Sequence, residues 1–374
     1  MLVARRMVLS VFLICAAAAF GERDMTVAEA SGPIETALVT VAAAYAAPPS
    51  EGARESLLRA ARTLADLASR IPPEHQPAVR YHQARFQAAG GDTPRALELL
   101  EGIATALPPV PEALWLKIQL AAAGLDDASN QVRWRLEDQL GLMLPLSGWG
   151  RLRDARLSER EAVRAGLPRH DVPGADVTIP ATDRARLRAV ADLFAAMHMH
   201  AEAANAYREL MYSAFTPPQF PAPGLDTWIS PEAADGWLTT ARLEARLGRR
   251  SWAFQALLLA AASSPSALEP ARAVLAALNQ PPERAIVDRS KLVEIAQRYR
   301  ECNLHPRALE ALETARQLPG APVAEEIKRT ASEWGELLAA YREANQPVAF
   351  LFGYNLSITP LPNVTPARFR YGTR

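Results

Sequence analysis

Apolar positions in this chain recur in one helical order. An Ala is followed by a large apolar residue four places on, an apolar or small residue seven on, and a Pro about twelve on. The order reads Ala60, Leu64, Leu67, Pro72, then Ala96, Leu100, Ile103, Pro108, and again Ala253, Leu257, Ala260, Pro265. A fourth copy is Ala308, Leu312, Ala315, with Pro319 one place early. These spacings set the side chains on one face of a helix. A single unit cannot bury such a face, so the pattern predicts copies that stack against one another.

A second helical pattern stands in front of most copies. Trp237, Thr240, Ala241 and Gly248 precede Ala253, and Leu292, Ile295, Ala296 and Tyr299 precede Ala308. A further copy reads Val190, Ala191, Phe194, Ala203, Tyr207, Leu210, with His198 in the turn in place of Gly. The copy at Gly91 and Ala96 has Ala84 in place but Gln87 at the aromatic position. The copy at Ala60 lacks a matching first helix, because Pro48 and Pro49 fall inside the expected span. Taken in order, these spacings resemble the tetratricopeptide repeat, unevenly, over residues 33–320. The resemblance implies an all-α fold: a right-handed superhelix of stacked antiparallel helix pairs, that is, a tetratricopeptide-like α-solenoid.

Elementary physics supports the same elements. Small residues at a helix crossing let two backbones approach to about 8 Å. Gly ends a helix by entering the left-handed region, and Pro stops one helix or opens the next. Of the 30 Pro, pairs such as Pro72–Pro73, Pro108–Pro109, Pro217–Pro218 and Pro281–Pro282 fall at these junctions. The steps between copies are uneven, and residues 145–182 form the clearest interruption, read as a short helix over 151–165 and a surface loop.

The C-terminal pattern changes character. Val323, Ile327, Trp334, Leu337, Leu338 and Tyr341 make an apolar stripe on a helix within 321–346, expected to cap the last copy. After Pro347 the period becomes two, through Val348, Phe350, Phe352, Tyr354, Leu356 and Ile358, with Phe369 and Tyr371 continuing it. That is strand spacing. The β-like tail over 347–374 can fold back as a hairpin, add to a partner's sheet, or lie extended. Phe350, Phe352, Tyr354, Phe369 and Tyr371 are its candidate partner-binding residues.

The other end reads as a leader. Arg5 and Arg6 precede an apolar run from Met7 to Phe20, and Ala19 and Gly21 suit a cleavage site. This predicts a secretory signal peptide over 1–21, a linker over 22–32, and a protein exported to the periplasm or cell envelope. An Ala- and Arg-rich composition fits a bacterial source. An uncleaved leader would instead be the protein's one membrane contact. Ile14 before Cys15 is too bulky for a lipidation site. With the leader removed, Cys302 is the last Cys, so an intramolecular disulfide is excluded.

Charge and chemistry narrow the function. Lys plus Arg equals Asp plus Glu at 41 each, which leaves no global basic footprint for nucleic acid. His198 and His200 flank Met199, and at that spacing in a helix they would point to different sides, away from a shared metal. No phosphate-cradling glycine loop and no nucleophile elbow is present. No cofactor or metal is expected. The expected role is a non-catalytic exported scaffold or adaptor that binds a protein or peptide. Two alternatives stand beside it: an envelope assembly factor or chaperone, and a cell-wall enzyme or enzyme accessory. The resemblance implies a concave groove lined by first helices, faced here by Arg188, Asp192, Arg242, Arg246, Gln297 and Arg300. The subclass that grips a terminal carboxylate uses Lys and Asn there. Val293 and Leu238 stand at two of those places, so that mode is not supported.

Overall fold

A computed structural model describes residues 27–47, 52–103, 106, 110–121, 127–143, 181–213, 229–278 and 284–343. Among the described residues every regular element is a helix. The helices are α1 (Val27–Ala46), α2 (Ala53–Ala68), α3 (Gln76–Ala89), α4 (Thr93–Glu101), α5 (Pro111–Ala121), α6 (Asp127–Met143) and α7 (Ala181–Ala196). They continue as α8 (His200–Ser213), α9 (Ala234–Arg246), α10 (Arg250–Ser263), α11 (Leu268–Ala277), α12 (Arg289–Glu301), α13 (His305–Arg316) and α14 (Ala324–Glu343). The leader, the interruption up to residue 180 with its expected helix over 151–165, and the tail with Phe350, Phe352, Tyr354, Phe369 and Tyr371 lie outside the described residues.

Four antiparallel pairs share one construction: α3/α4, α7/α8, α9/α10 and α12/α13. Three residues join each pair, and the middle one is left-handed: Gly91 at φ 89°, His198 at 53°, Gly248 at 69° and Asn303 at 58°. The amide of the residue after it donates to the carbonyl five places back. These bonds are Asp92 to Gln87 at 2.8 Å, Met199 to Phe194 at 3.0 Å, Arg249 to Glu244 at 2.9 Å and Leu304 to Tyr299 at 2.8 Å. The middle amide donates three places back in all four. This double closure satisfies the carbonyls that a helix end leaves open. His198 therefore makes the same turn as the glycines, in a region that His visits more readily than most residues.

The register inside the pairs is also shared. Ala84 and Ala96, Ala191 and Ala203, Ala241 and Ala253, and Ala296 and Ala308 are each separated by twelve residues, and none is more than 2% exposed. The next large residue of each second helix is buried as well: Leu100, Tyr207, Leu257 and Leu312. Local caps fix where the helices begin. Asp92 accepts from the Arg95 amide at 3.2 Å, and Asp288 from the Ser290 amide at 2.7 Å. Pro94 and Pro306 occupy first turns, where a missing N–H costs nothing. Pro73 and Pro265 open short 3-10 turns that lead into α3 and α11.

Three details differ from the sequence reading. On α2 the fully buried small residue is Ala61, while Ala60 is half-buried, so the helix is turned by one position. A first helix does precede it: α1 ends at Ala46, before Pro48 and Pro49. That helix starts at Val27, inside the stretch read as linker.

The pairs do not stack in chain order. α8 packs on α9, and α7 packs on α12, so the pair α7/α8 lies between α9/α10 and α12/α13. α10 packs on α1 and touches α3, which joins the N-terminal helices to the second half of the chain. The added helix α11 fills the corner between α9, α10 and α1. Two apolar cores result. One runs through α1–α6, α9, α10 and α11, with Tyr212 of α8, and the other through α7, α8, α12 and α13. Leu243 of α9 belongs to the second core while Leu238 of the same helix belongs to the first. α14 packs on α13 and buries Val323 and Thr330.

Candidate functional site

The outward side of the first helices is the candidate surface, and the inward side decides what remains on it. α9 buries Trp237, Leu238, Thr240, Ala241, Leu243 and Glu244. Arg242 and Arg246 are left exposed. Arg242 makes no ion pair among the described residues. The other candidates are already partnered. Arg188 lies 3.6 Å from Asp192 and 3.9 Å from Asp235 at the start of α9, and stands 5.0 Å over the Tyr207 ring. The Tyr207 hydroxyl donates to Asp192. Burial, helped by that bond, pushes the Tyr207 hydroxyl up to about 12.

Farther along, Gln297 donates to Glu301 of its own helix at 3.1 Å. Arg300 reaches α14, with Glu326 at 3.0 Å and Glu333 at 3.1 Å. Its role is to dock α14, and partly exposed pairs of this kind contribute about 0–1 kcal/mol each. Arg186 of α7 meets Glu301 of α12 at 3.1 Å, which ties the two first helices together. The structure thus brings Arg188 and Asp192 together, leaves Arg242 and Arg246 exposed on α9, and turns Arg300 toward α14.

Behind this face lies a buried polar network that sequence reasoning missed. Glu244 is fully buried at the position where α7 carries Phe194 and α12 carries Tyr299. It pairs with Arg208 of α8, and with Arg249 at 3.5 Å. The Arg208 guanidinium stands 4.0 Å from the Trp252 ring centre, and burial pulls it down to about 10. Nearby, buried Glu112 of α5 accepts from the Tyr212 hydroxyl, and from the Gln255 amide at 3.0 Å. Burial, and then the charge of Glu112, raise the Tyr212 hydroxyl well above its usual range. Beside the network Arg307, 2% exposed, binds Glu209 through both guanidinium ends at 2.8 and 3.0 Å. The legible signal was Glu244 itself: a carboxylate in an aromatic register position needs a cation nearby.

These groups hold elements together rather than present reactive atoms. The rings of His198 and His200 stand 5.6 Å apart and perpendicular. Among the described residues no group of three His, Cys, Asp or Glu side chains is placed to hold a metal ion. The half-buried Cys302 thiol lies 3.9 Å from the Asp183 carbonyl oxygen. Comparison with protein-family models, with curated proteins and with solved structures gave no match for this chain.

Proposed function

We propose that this chain is a non-catalytic scaffold or adaptor of the tetratricopeptide-like kind, exported to the cell envelope, which holds a protein or peptide partner against the outward side of its first helices. The observation that carries the reading is Arg242, exposed beside Arg246 on a helix whose other face is locked into both cores. A rigid helix that presents the exposed Arg242 fork suits an acidic peptide, because the fork can take a carboxylate by two parallel hydrogen bonds. The shared turn and the twelve-residue Ala register support a frame that does not itself need to change shape. The leader supports export. The tail is a second contact in this reading, through Phe350, Phe352, Tyr354, Phe369 and Tyr371.

The test is a crosslinked pull-down from native envelopes with three full-length or near-full-length forms: wild type, the pair R242A and R246A, and a chain ending at Gln346. One dominant partner lost with the Arg pair supports the face as proposed. Loss only with the shortened chain moves the contact to the tail. The same recovery from all three overturns both.

A further inference from the structure

A cleft of about 530 Å³ opens between α2, α3 and α4, away from the α9 face. Its walls include Ala65, Arg80, Gln83, Arg95, Glu98 and Leu99. The shared register explains why it is there. Four residues before the first-helix Ala, the other pairs carry Leu187, Trp237 and Leu292, and one residue before it they carry Val190, Thr240 and Ile295. All six are at most 7% exposed. In α3 those two places are Arg80 and Gln83. Arg80 turns to solvent, where it donates to the Gln76 side-chain oxygen at 3.2 Å. The space that a Trp or Leu fills elsewhere is therefore open.

Gln83 is only 5% exposed, yet its amide makes no hydrogen bond to another described residue. What remains exposed of Gln83 lines the cleft, so its amide is available to a group that enters there. A group that pairs with both ends of that amide offers an acceptor for the Gln83 N–H and a donor for its carbonyl, as a planar amide does. Arg80 adds an exposed fork suited to a carboxylate. Arg95 is held by Glu98, which fixes its position and leaves the cleft with one positive charge in excess. We infer that this cleft binds a carboxylate carried next to a planar amide, the chemistry shared by an N-acylated amino acid and by the carboxyl end of a peptide. The volume lies within the usual range for such ligands, about 300–1,000 Å³.

The site is tested by calorimetric titration of the full chain with N-acetyl-alanine and N-acetyl-trialanine, each as free acid and as carboxyl amide. The free acids should bind at least tenfold more tightly than the amides. Equal affinity for the two acids assigns the site to a small molecule, and a clear preference for the tripeptide assigns it to a peptide end. R80L and Q83V give the cleft the residue types the other pairs carry. Each should remove acid binding at least tenfold while leaving the thermal midpoint unchanged or raised, because the replaced polar residues are poor packers. R316A, at an exposed arginine in the last turn of α13 outside both surfaces, serves as the control that leaves binding intact. The inference is overturned if acids and amides bind alike, if neither acid binds, or if Q83V folds normally and binds as wild type.

Discussion

Arg208 and Glu244 form a buried ion pair across the junction of α8 and α9, and Glu244 has no exposed surface at all. Two of the other pairs solve the same position with Phe194 and Tyr299, so an apolar contact has been replaced by a charged one at the place where the two cores meet. Taking two charges out of water is costly, and such pairs fix which surfaces meet more than they add stability.

E244Q leaves the Arg208 guanidinium buried beside a neutral amide. The expected loss is about 3 kcal/mol, the usual scale for breaking a buried pair from one side. Replacing both partners, as R208L with E244F, should recover most of that. Urea unfolding of the three proteins measures it, and an E244Q midpoint equal to wild type would contradict the role given to the pair.

Gly91 and Gly248 share a left-handed turn but not the same surroundings. At Gly248 an added Cβ meets nothing within 4 Å, so G248A should cost only the backbone term of about 1–2 kcal/mol. At Gly91 the same carbon would lie 1.9 Å from the Arg54 guanidinium, which donates to the Gly90 carbonyl at 2.6 Å. G91A should therefore lose clearly more than G248A in thermal unfolding. Equal losses would show that Arg54 moves aside freely.

His82 is 1% exposed and sits beside Tyr45, whose hydroxyl lies 3.3 Å from its Nδ1. Burial, with a smaller push from Arg85, lowers its pKa from 6.5 to about 3. The folded state thus resists a proton that the unfolded chain accepts. The stability this group contributes is complete above pH 6.5 and is lost as pH falls toward 3. H82F should unfold with a shallower acid slope over that window. A slope identical to wild type would place the acid sensitivity elsewhere.

Much of the candidate site was legible because helix faces are local. Arg242 and Arg246 project from a helix whose other side reads as core, and both are exposed. Arg188, Asp192 and Arg300 read the same way, yet they face carboxylates or a hydroxyl brought in by other helices. Arg80 and Gln83 show the opposite case. Aligning Ala84 with Ala191, Ala241 and Ala296 marks them as polar residues in an apolar register, although only packing shows that the space beside them stays open.

What the sequence by itself determined is the unit: two helices, a three-residue turn and a buried Ala on each side of it. Those features follow from interactions within a few residues, namely the helical period, the caps and the left-handed turn. The tertiary structure decided the neighbours. α7 lies beside α12 and α10 beside α1, Ala61 rather than Ala60 faces the core, and Glu112 finds Tyr212 and Gln255 at separations of 100 and 143 residues. Apolar helix faces are nearly interchangeable as surfaces to bury. The choice among them is a sum over many distant contacts of similar strength, tipped by a few buried charges, and no local spacing in the chain encodes that sum.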